Sequence, residues 1–195
     1  MRMRLIRLGI MALVLSWGWN AEAQLRQGGS PIHKTLEIEG PAIGASLSGI
    51  APFSSEAPAG DVGFHVELPL THTISFRSDV GLADWTLSER TVMGRRVAED
   101  VSLARGTFTI VERPHSKPGR YFGAGFGVYR FALGETTPKV RRVRGMAVLG
   151  GIEAPIKGKV VVGLELHGHL IRTPSDLPPA LSLIIGAAVR MQWRY

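Results

Sequence analysis

The stretch VVVGLELHGHLIRTPSDLPPALSLIIGAAVRMQWRY, residues 160–195, decides the fold because it alternates in two separate blocks. Every second residue of 160–170 is apolar or glycine, and the positions between them include Glu165, His167 and His169. The alternation returns over 181–195, after a link that contains three prolines. Period-two alternation is typical of a β-strand with two chemically different faces. The stretch therefore predicts two strands, each with an apolar face and a polar face.

Six further stretches alternate in the same way, which brings the predicted strands to eight. They are Pro41–Ile50, Val62–Leu70, Thr73–Trp85, Val101–Glu112, Tyr121–Leu133 and Arg144–Ala154. The connections alternate in length: they are short at 69–72, 113–120 and 155–159, and long at 51–61, 87–100, 134–143 and 172–180. An even number of strands, with short turns at one end and long loops at the other, is typical of outer-membrane barrels. We therefore predict an all-β fold, an eight-stranded antiparallel up-and-down transmembrane β-barrel preceded by a signal peptide.

Residues 1–23 have the three parts of a secretory signal peptide. Three arginines precede an apolar run over 10–17, and small residues flank Glu22 at the end. The run is shorter than the roughly 20 residues that a spanning helix needs. We expect cleavage before Gln24, an N-terminal periplasmic segment over 24–35 and the barrel domain over 36–195. The predicted location is the outer membrane of a bacterium with two membranes.

Cysteine content indicates how the chain is stabilised, and net charge indicates which classes of partner it can bind. The 195-residue chain has no cysteine and a net charge of +7, which falls to +5 once the leader is removed. An exported chain without disulfides depends on burial and hydrogen bonding alone. On an exported protein, a moderate basic excess favours anionic lipid phosphate over nucleic acid. We predict outer-membrane lipid and lipopolysaccharide as partners, with no nucleic acid, no cofactor and a monomeric state.

The orientation of the apolar faces separates a membrane barrel from a soluble one. Side chains fill the interior of an eight-stranded barrel, and charges placed there must be paired. The polar faces supply four acids and four arginines, which predict a lumen ion-pair network: Glu67, Arg77, Asp79, Arg105, Glu153, Glu165, Arg190 and Arg194. Aromatic residues near strand ends predict two belts at the membrane interfaces: Trp85, Tyr129 and Phe131 at the loop ends, and Tyr121, Phe122, Trp193 and Tyr195 at the turn ends. The alternative is a soluble periplasmic barrel whose apolar faces enclose a lipid.

The chain resembles the small eight-stranded outer-membrane barrels of the outer membrane protein A type. The resemblance rests on YFGAGFGVYRF at 121–131, the strand over 164–171 and the ending GAAVRMQWRY from Gly186. That ending resembles the signal read by the barrel assembly machinery, which the resemblance implies as a partner during biogenesis. The signal residues are Val189, Met191, Trp193 and Tyr195.

The resemblance extends to lipid A deacylase barrels, which use a His-x-Ser pair and a downstream Glu. Here His167 is followed two positions later by His169, and no acid follows Asp176. The nucleophile of that pattern is missing, so we predict that the protein is not an enzyme.

Three histidines, His65, His167 and His169, fall on polar faces and are predicted lumen residues. Two histidines beside Glu165 offer zinc ligands. Residues i and i+2 of a strand lie about 6.6 Å apart, which is long for one metal, so we predict no metal site. Gly123, Gly125 and Gly127 are expected to make room in the lumen for long arginine and tyrosine side chains.

Seven basic residues near the long loops predict contact with lipopolysaccharide phosphates, since guanidinium groups bind phosphate in bidentate fashion. They are Arg95, Arg96, Arg130, Lys139, Arg141, Arg142 and Arg144. A solvated loop surface is the alternative for most of them, whereas Arg130 falls on the lipid-facing register near the outer rim. We predict a structural or surface-interaction role, such as envelope integrity, with the lumen closed by ion pairs. A narrow or gated pore, the soluble lipid-binding barrel and a lipid A-modifying enzyme remain alternatives.

Overall fold

The structure is a computed structural model that describes residues 40–52, 58–92, 95–116, 119–134, 139–175, 177 and 179–195. Within these residues, eight strands form one closed antiparallel barrel in which each strand pairs with the next and β8 pairs with β1. The strands are β1 Ala42–Pro52, β2 Ala59–Pro69, β3 Ile74–Val92, β4 Arg95–Glu112, β5 Arg120–Leu133, β6 Lys139–Lys157, β7 Val160–Ile171 and β8 Leu183–Arg194. The predicted signal peptide and the 24–35 segment lie outside the described residues.

Closure of the sheet satisfies the backbone at what would otherwise be two free edges. In the closing pair, β1 and β8, the register extends from Ala42 opposite Arg194 to Pro52 opposite Ile184. Only helices and closed barrels satisfy every backbone N–H and C=O within hydrocarbon. Within the described residues, no helix is both long and apolar enough to cross a membrane. We call the end with the connections 70–73, 113–119 and 158–159 the turn end, and the opposite end the loop end.

Strands extend into two of the predicted long loops. Pairing of β3 with β4 continues to Val92 opposite Arg95, so the predicted loop 87–100 is wrong. Likewise β6 begins at Lys139, inside the predicted loop 134–143. Beyond the bilayer both faces of a hairpin meet water, so pairing can continue without the apolar alternation that marks a spanning strand. Sequence alternation therefore records the membrane-embedded length of a strand and misses its extension into water.

The apolar rows face outward, as predicted. Leu82 is 66 % exposed and Phe126 is 62 % exposed, whereas Gly81, Ala83 and Gly127, which adjoin them in sequence, are buried. Three outward phenylalanines form a cross-strand ladder: the ring centroids of Phe76 and Phe108 lie 6.1 Å apart, and those of Phe108 and Phe126 lie 5.5 Å apart. A belt of this kind is stable against acyl chains, so the soluble barrel with enclosed apolar faces is ruled out.

Four of the seven residues predicted for the aromatic belts face the lumen instead. Trp85, Tyr121, Tyr129 and Phe131 are all at most 6 % exposed. The prediction used their position along the strand, but strand parity decides the face. Tyr129 shares the parity of the inward Gly127, and Trp85 lies well inside β3. The other three, Phe122, Trp193 and Tyr195, are exposed on the outside.

Candidate functional site

The lumen near the turn end holds a cluster centred on Arg113. Its Nη1 lies 2.6 Å from Oε1 of Glu67, and its Nε lies 2.7 Å from Oε1 of Glu153. Ser75 donates its hydroxyl to Glu67 at 2.7 Å, and Nη2 of Arg194 contacts Glu153 Oε1 at 2.7 Å. Sequence reasoning assigned Arg113 to a turn and missed it. Its signal was parity, because Arg113 continues the inward series of Thr107, Thr109 and Val111.

The centre of the lumen is organised around Glu165. Arg77 Nη1 lies 2.5 Å and Arg190 Nη1 lies 2.9 Å from its Oε2. The Tyr121 hydroxyl donates to the same carboxylate at 3.0 Å and accepts from Arg190 at 2.9 Å. Arg77 also contacts Asp79 through its guanidinium group. The Tyr121 ring lies against both Arg113 and Arg190, whose Cζ atoms are 5.5 and 5.3 Å from its centroid. One aromatic ring thus joins the turn-end cluster to the central one.

Arg105 forms an ion pair nearer the loop end than the two clusters above. Its Nη2 lies 2.6 Å from Oδ2 of Asp61, which also accepts the Ser48 hydroxyl at 2.5 Å. Sequence reasoning assigned Asp61 to the predicted loop 51–61 and missed it, although β2 begins at Ala59 and Asp61 has inward parity. Among the described residues, the lumen therefore pairs five arginines with five carboxylates rather than four with four. Matched pairing is the condition under which charges can be held in a low-dielectric interior.

The three histidines are buried in the lumen but serve different neighbours. Nε2 of His65 accepts from Arg190 at 3.0 Å and lies 3.3 Å from Oε1 of Gln192. Tyr129 and His169 are joined by a hydrogen bond of 2.9 Å between the hydroxyl and Nδ1. The His167 ring lies 5.3 Å from the His169 ring. In the part of the chain that the structure describes, no three His, Cys, Asp or Glu side chains gather in a way that could hold a metal.

Glycines on the lumen face make room for large side chains from the same or adjacent strands. A Cβ on Gly127 would lie 2.6 Å from the Tyr129 hydroxyl, and one on Gly81 would lie 2.7 Å from Nε of Arg105. The spacer role predicted for Gly127 is thereby confirmed. Gly125 differs, because its nearest neighbours are backbone atoms of Phe108 and Thr109.

Outside the barrel, arginines cap the apolar rows of three consecutive strands at the loop end. Each arginine is the next outward residue toward the loop end after an exposed apolar residue: Arg130 after Val128 on β5, Arg144 after Met146 on β6, and Arg172 after Leu170 at the end of β7. On β6 the next outward residue after Arg144 is Arg142. Arg130 lies directly opposite Arg142, and the backbone N–H of Arg172 donates to the Arg144 carbonyl at 3.2 Å. All four side chains are exposed. We call these four residues the arginine rim.

The remaining predicted basic residues are not all part of this rim. Arg141 is half-buried and donates to the Val140 carbonyl at 3.3 Å. Arg95, Arg96 and Lys139 lie in strands, and their side chains fall outside the described part of the chain. Arg172 was not predicted, because it follows its strand by one position and lies apart from the basic run at 139–144.

The predicted assembly signal lies on β8, the strand that closes the barrel against β1. Its four residues face outward with 49 to 61 % of their surface exposed: Val189, Met191, Trp193 and Tyr195. They form one continuous apolar row that ends at the turn end.

Comparisons with known proteins bear on the fold. Neither protein-family models nor curated proteins gave a match to the sequence. Among solved structures, Neisserial surface protein A is similar with a TM-score of 0.57 at 11 % identity, covering 80 % of this chain and 96 % of that one. The outer membrane protein OprG from Pseudomonas aeruginosa is similar with a TM-score of 0.55 at 12 % identity, covering 82 % of this chain and 97 % of that one. This chain therefore has the fold of the small eight-stranded outer-membrane β-barrels.

Proposed function

We propose that the protein is a non-enzymatic outer-membrane barrel with a structural and surface-interaction role, and that its arginine rim contacts lipopolysaccharide phosphates. In this proposal residues 1–23 are removed as a signal peptide, 24–35 remain in the periplasm and 36–195 form the membrane domain. The chain is a monomer and the barrel assembly machinery reads the β8 row. The loop end faces outward, since the turn end of such barrels is periplasmic.

The arginine rim carries the proposal. Like charges directly opposite each other on neighbouring strands repel, and Arg130 and Arg142 stand in that relation. An anion bound between the two arginines is attracted to both and offsets their repulsion. Two neighbouring guanidinium groups can each donate hydrogen bonds to the oxygens of one phosphate. On each of the three strands the rim begins one outward position beyond an exposed apolar residue, at the level where we expect headgroup phosphates and where arginine side chains reach the interface.

The burial of the polar side chains supports the non-enzymatic part. His167 and His169 are 9 % and 3 % exposed and lie behind the barrel wall. A lipid substrate lies on the outer surface of the barrel, where it cannot reach them. The carboxylates of the lumen are engaged by arginines, which favours a role in holding the barrel together.

The first experiment is cell fractionation with heat-modifiable gel mobility, which should place a folded barrel in the outer membrane. The second compares lipopolysaccharide binding by the wild type and by the triple variant Arg130→Gln, Arg142→Gln, Arg144→Gln in neutral detergent. We expect at least a tenfold loss of affinity and a weaker salt dependence for the triple variant. Lys159→Gln removes an exposed charge at the turn end and should bind like the wild type. Equal binding by all three proteins would rule out the rim as the contact.

A further inference from the structure

The lumen changes from polar to apolar along its axis. At the level of Arg105, the paired positions on the neighbouring strands are Gly81 and Tyr129. Two residues further toward the loop end, the inward row is Ala83, Leu103 and Phe131, and the next row is Trp85, Val101 and Leu133. These side chains belong to one buried apolar cluster. Toward the loop end the barrel interior therefore contains a hydrophobic layer, with Asp61, which stands opposite Ala83, at its border with the ion pairs.

The connection between β7 and β8 completes this layer. Leu177 is 3 % exposed and Leu181 is 0 % exposed, although both lie between strands and not in the barrel wall. Leu181 belongs to a short 3-10 helix, Pro179–Ser182, that contacts β1 and β7, and the Leu177 N–H donates to the Pro174 carbonyl at 3.0 Å. We call Leu177 and Leu181 the mouth plug. Both leucines belong to the same buried apolar cluster as the inward wall residues Trp85 and Phe131, which places them in the mouth of the barrel.

The two layers differ in what they can let through. The charged and hydroxyl groups of the lower layer, which contains the ion pairs, can exchange partners and coordinate a passing ion in place of its water. The described side chains of the upper layer are mainly apolar, with Asp61 at its border engaged by Arg105, and moving a charge into an apolar environment without compensation is strongly unfavourable. An eight-stranded barrel is narrow enough for side chains to fill it completely. The apolar layer is therefore the stronger barrier to ions and water.

We infer that the mouth plug, and not the ion-pair network, seals the lumen against ions. The inference rests on the prediction that the lumen is closed, and it replaces the ion pairs with the mouth plug as the element that closes it. The network then serves stability, and displacement of Leu177 and Leu181 opens the path from the loop end to the polar half. A cavity of about 10 Å³, close to the volume of one water, lies in the polar half beside Asp79 and His169.

Ion flux into proteoliposomes tests this inference, with Leu177→Asp/Leu181→Asp as the test variant and Ser175→Asp as its matched control. Ser175 is exposed in the same connection, so its variant adds charge without unplugging the mouth. We expect the wild type and the control to be tight, and the double variant to pass ions at least tenfold faster. Heat-modifiable mobility verifies that each protein is folded. A folded double variant as tight as the wild type overturns the inference and leaves the closed lumen standing, whereas a leaky wild type overturns both.

A second measurement avoids introducing charge, in case the double variant fails to fold. The natural chain has no cysteine, so single cysteines report their own surroundings. Leu181→Cys should react with a membrane-impermeant maleimide at least a hundredfold more slowly than Ser175→Cys in the folded barrel. Similar rates at the two positions would show that Leu181 faces water and would overturn the inference.

Discussion

Removing Arg113 should destabilise the barrel more than any exposed substitution. Its guanidinium group bridges Glu67 and Glu153, and all three side chains are at most 7 % exposed. In Arg113→Ala, Glu153 keeps Arg194 at 2.7 Å, whereas Glu67 loses its ion pair and keeps the Ser75 hydroxyl. Breaking a buried ion pair from one side costs about 3–5 kcal/mol. With a urea dependence of about 2 kcal/mol per molar, the unfolding midpoint should fall by about 1.5–2.5 M.

The assay is urea unfolding in phospholipid vesicles, followed by the loss of heat-modifiable mobility. The double variant Arg113→Gln/Glu67→Gln replaces the charges with hydrogen-bonding amides and should recover most of the loss, because an unpaired buried charge is the main cost. Arg144→Gln, on the exposed rim, serves as the control and should leave the midpoint unchanged. If Arg113→Ala unfolds at the same urea concentration as the wild type, the view that the network stabilises the barrel is refuted.

Two further predictions concern packing on either side of the barrel wall. Gly127→Ala should lower the unfolding midpoint, because the added methyl group meets the Tyr129 hydroxyl and displaces it from His169. Gly106→Ala is the control and should leave the midpoint unchanged, because nothing lies within 4 Å of the added methyl group. Equal midpoints for the two variants would contradict the spacer role. Phe108→Leu should cost about 1 kcal/mol because it removes the middle ring of an aromatic ladder. Ile110→Leu, two residues along the same outward row, is its control, and the same urea titration measures both.

The lumen shows where sequence reasoning stopped. Parity assigned Glu165 and Arg77 to the interior, but 88 positions separate them in the chain and no local pattern pairs them. Asp61 and Arg113 were missed because each lies at the edge of a recognisable strand, where the alternation fades. The aromatic belts were partly wrong because a position near the end of a strand does not reveal its face.

The amino-acid sequence by itself determined the number of strands, the orientation of their faces and the class of barrel. It could do so because a spanning strand meets hydrocarbon on one side and a packed lumen on the other, so that its residues alternate between apolar and polar or small. Only the tertiary structure decided which arginine pairs with which carboxylate and placed Leu177 and Leu181 in the mouth. Those contacts join residues distant in sequence, and the register around the ring, a property of all eight strands together, sets their distances.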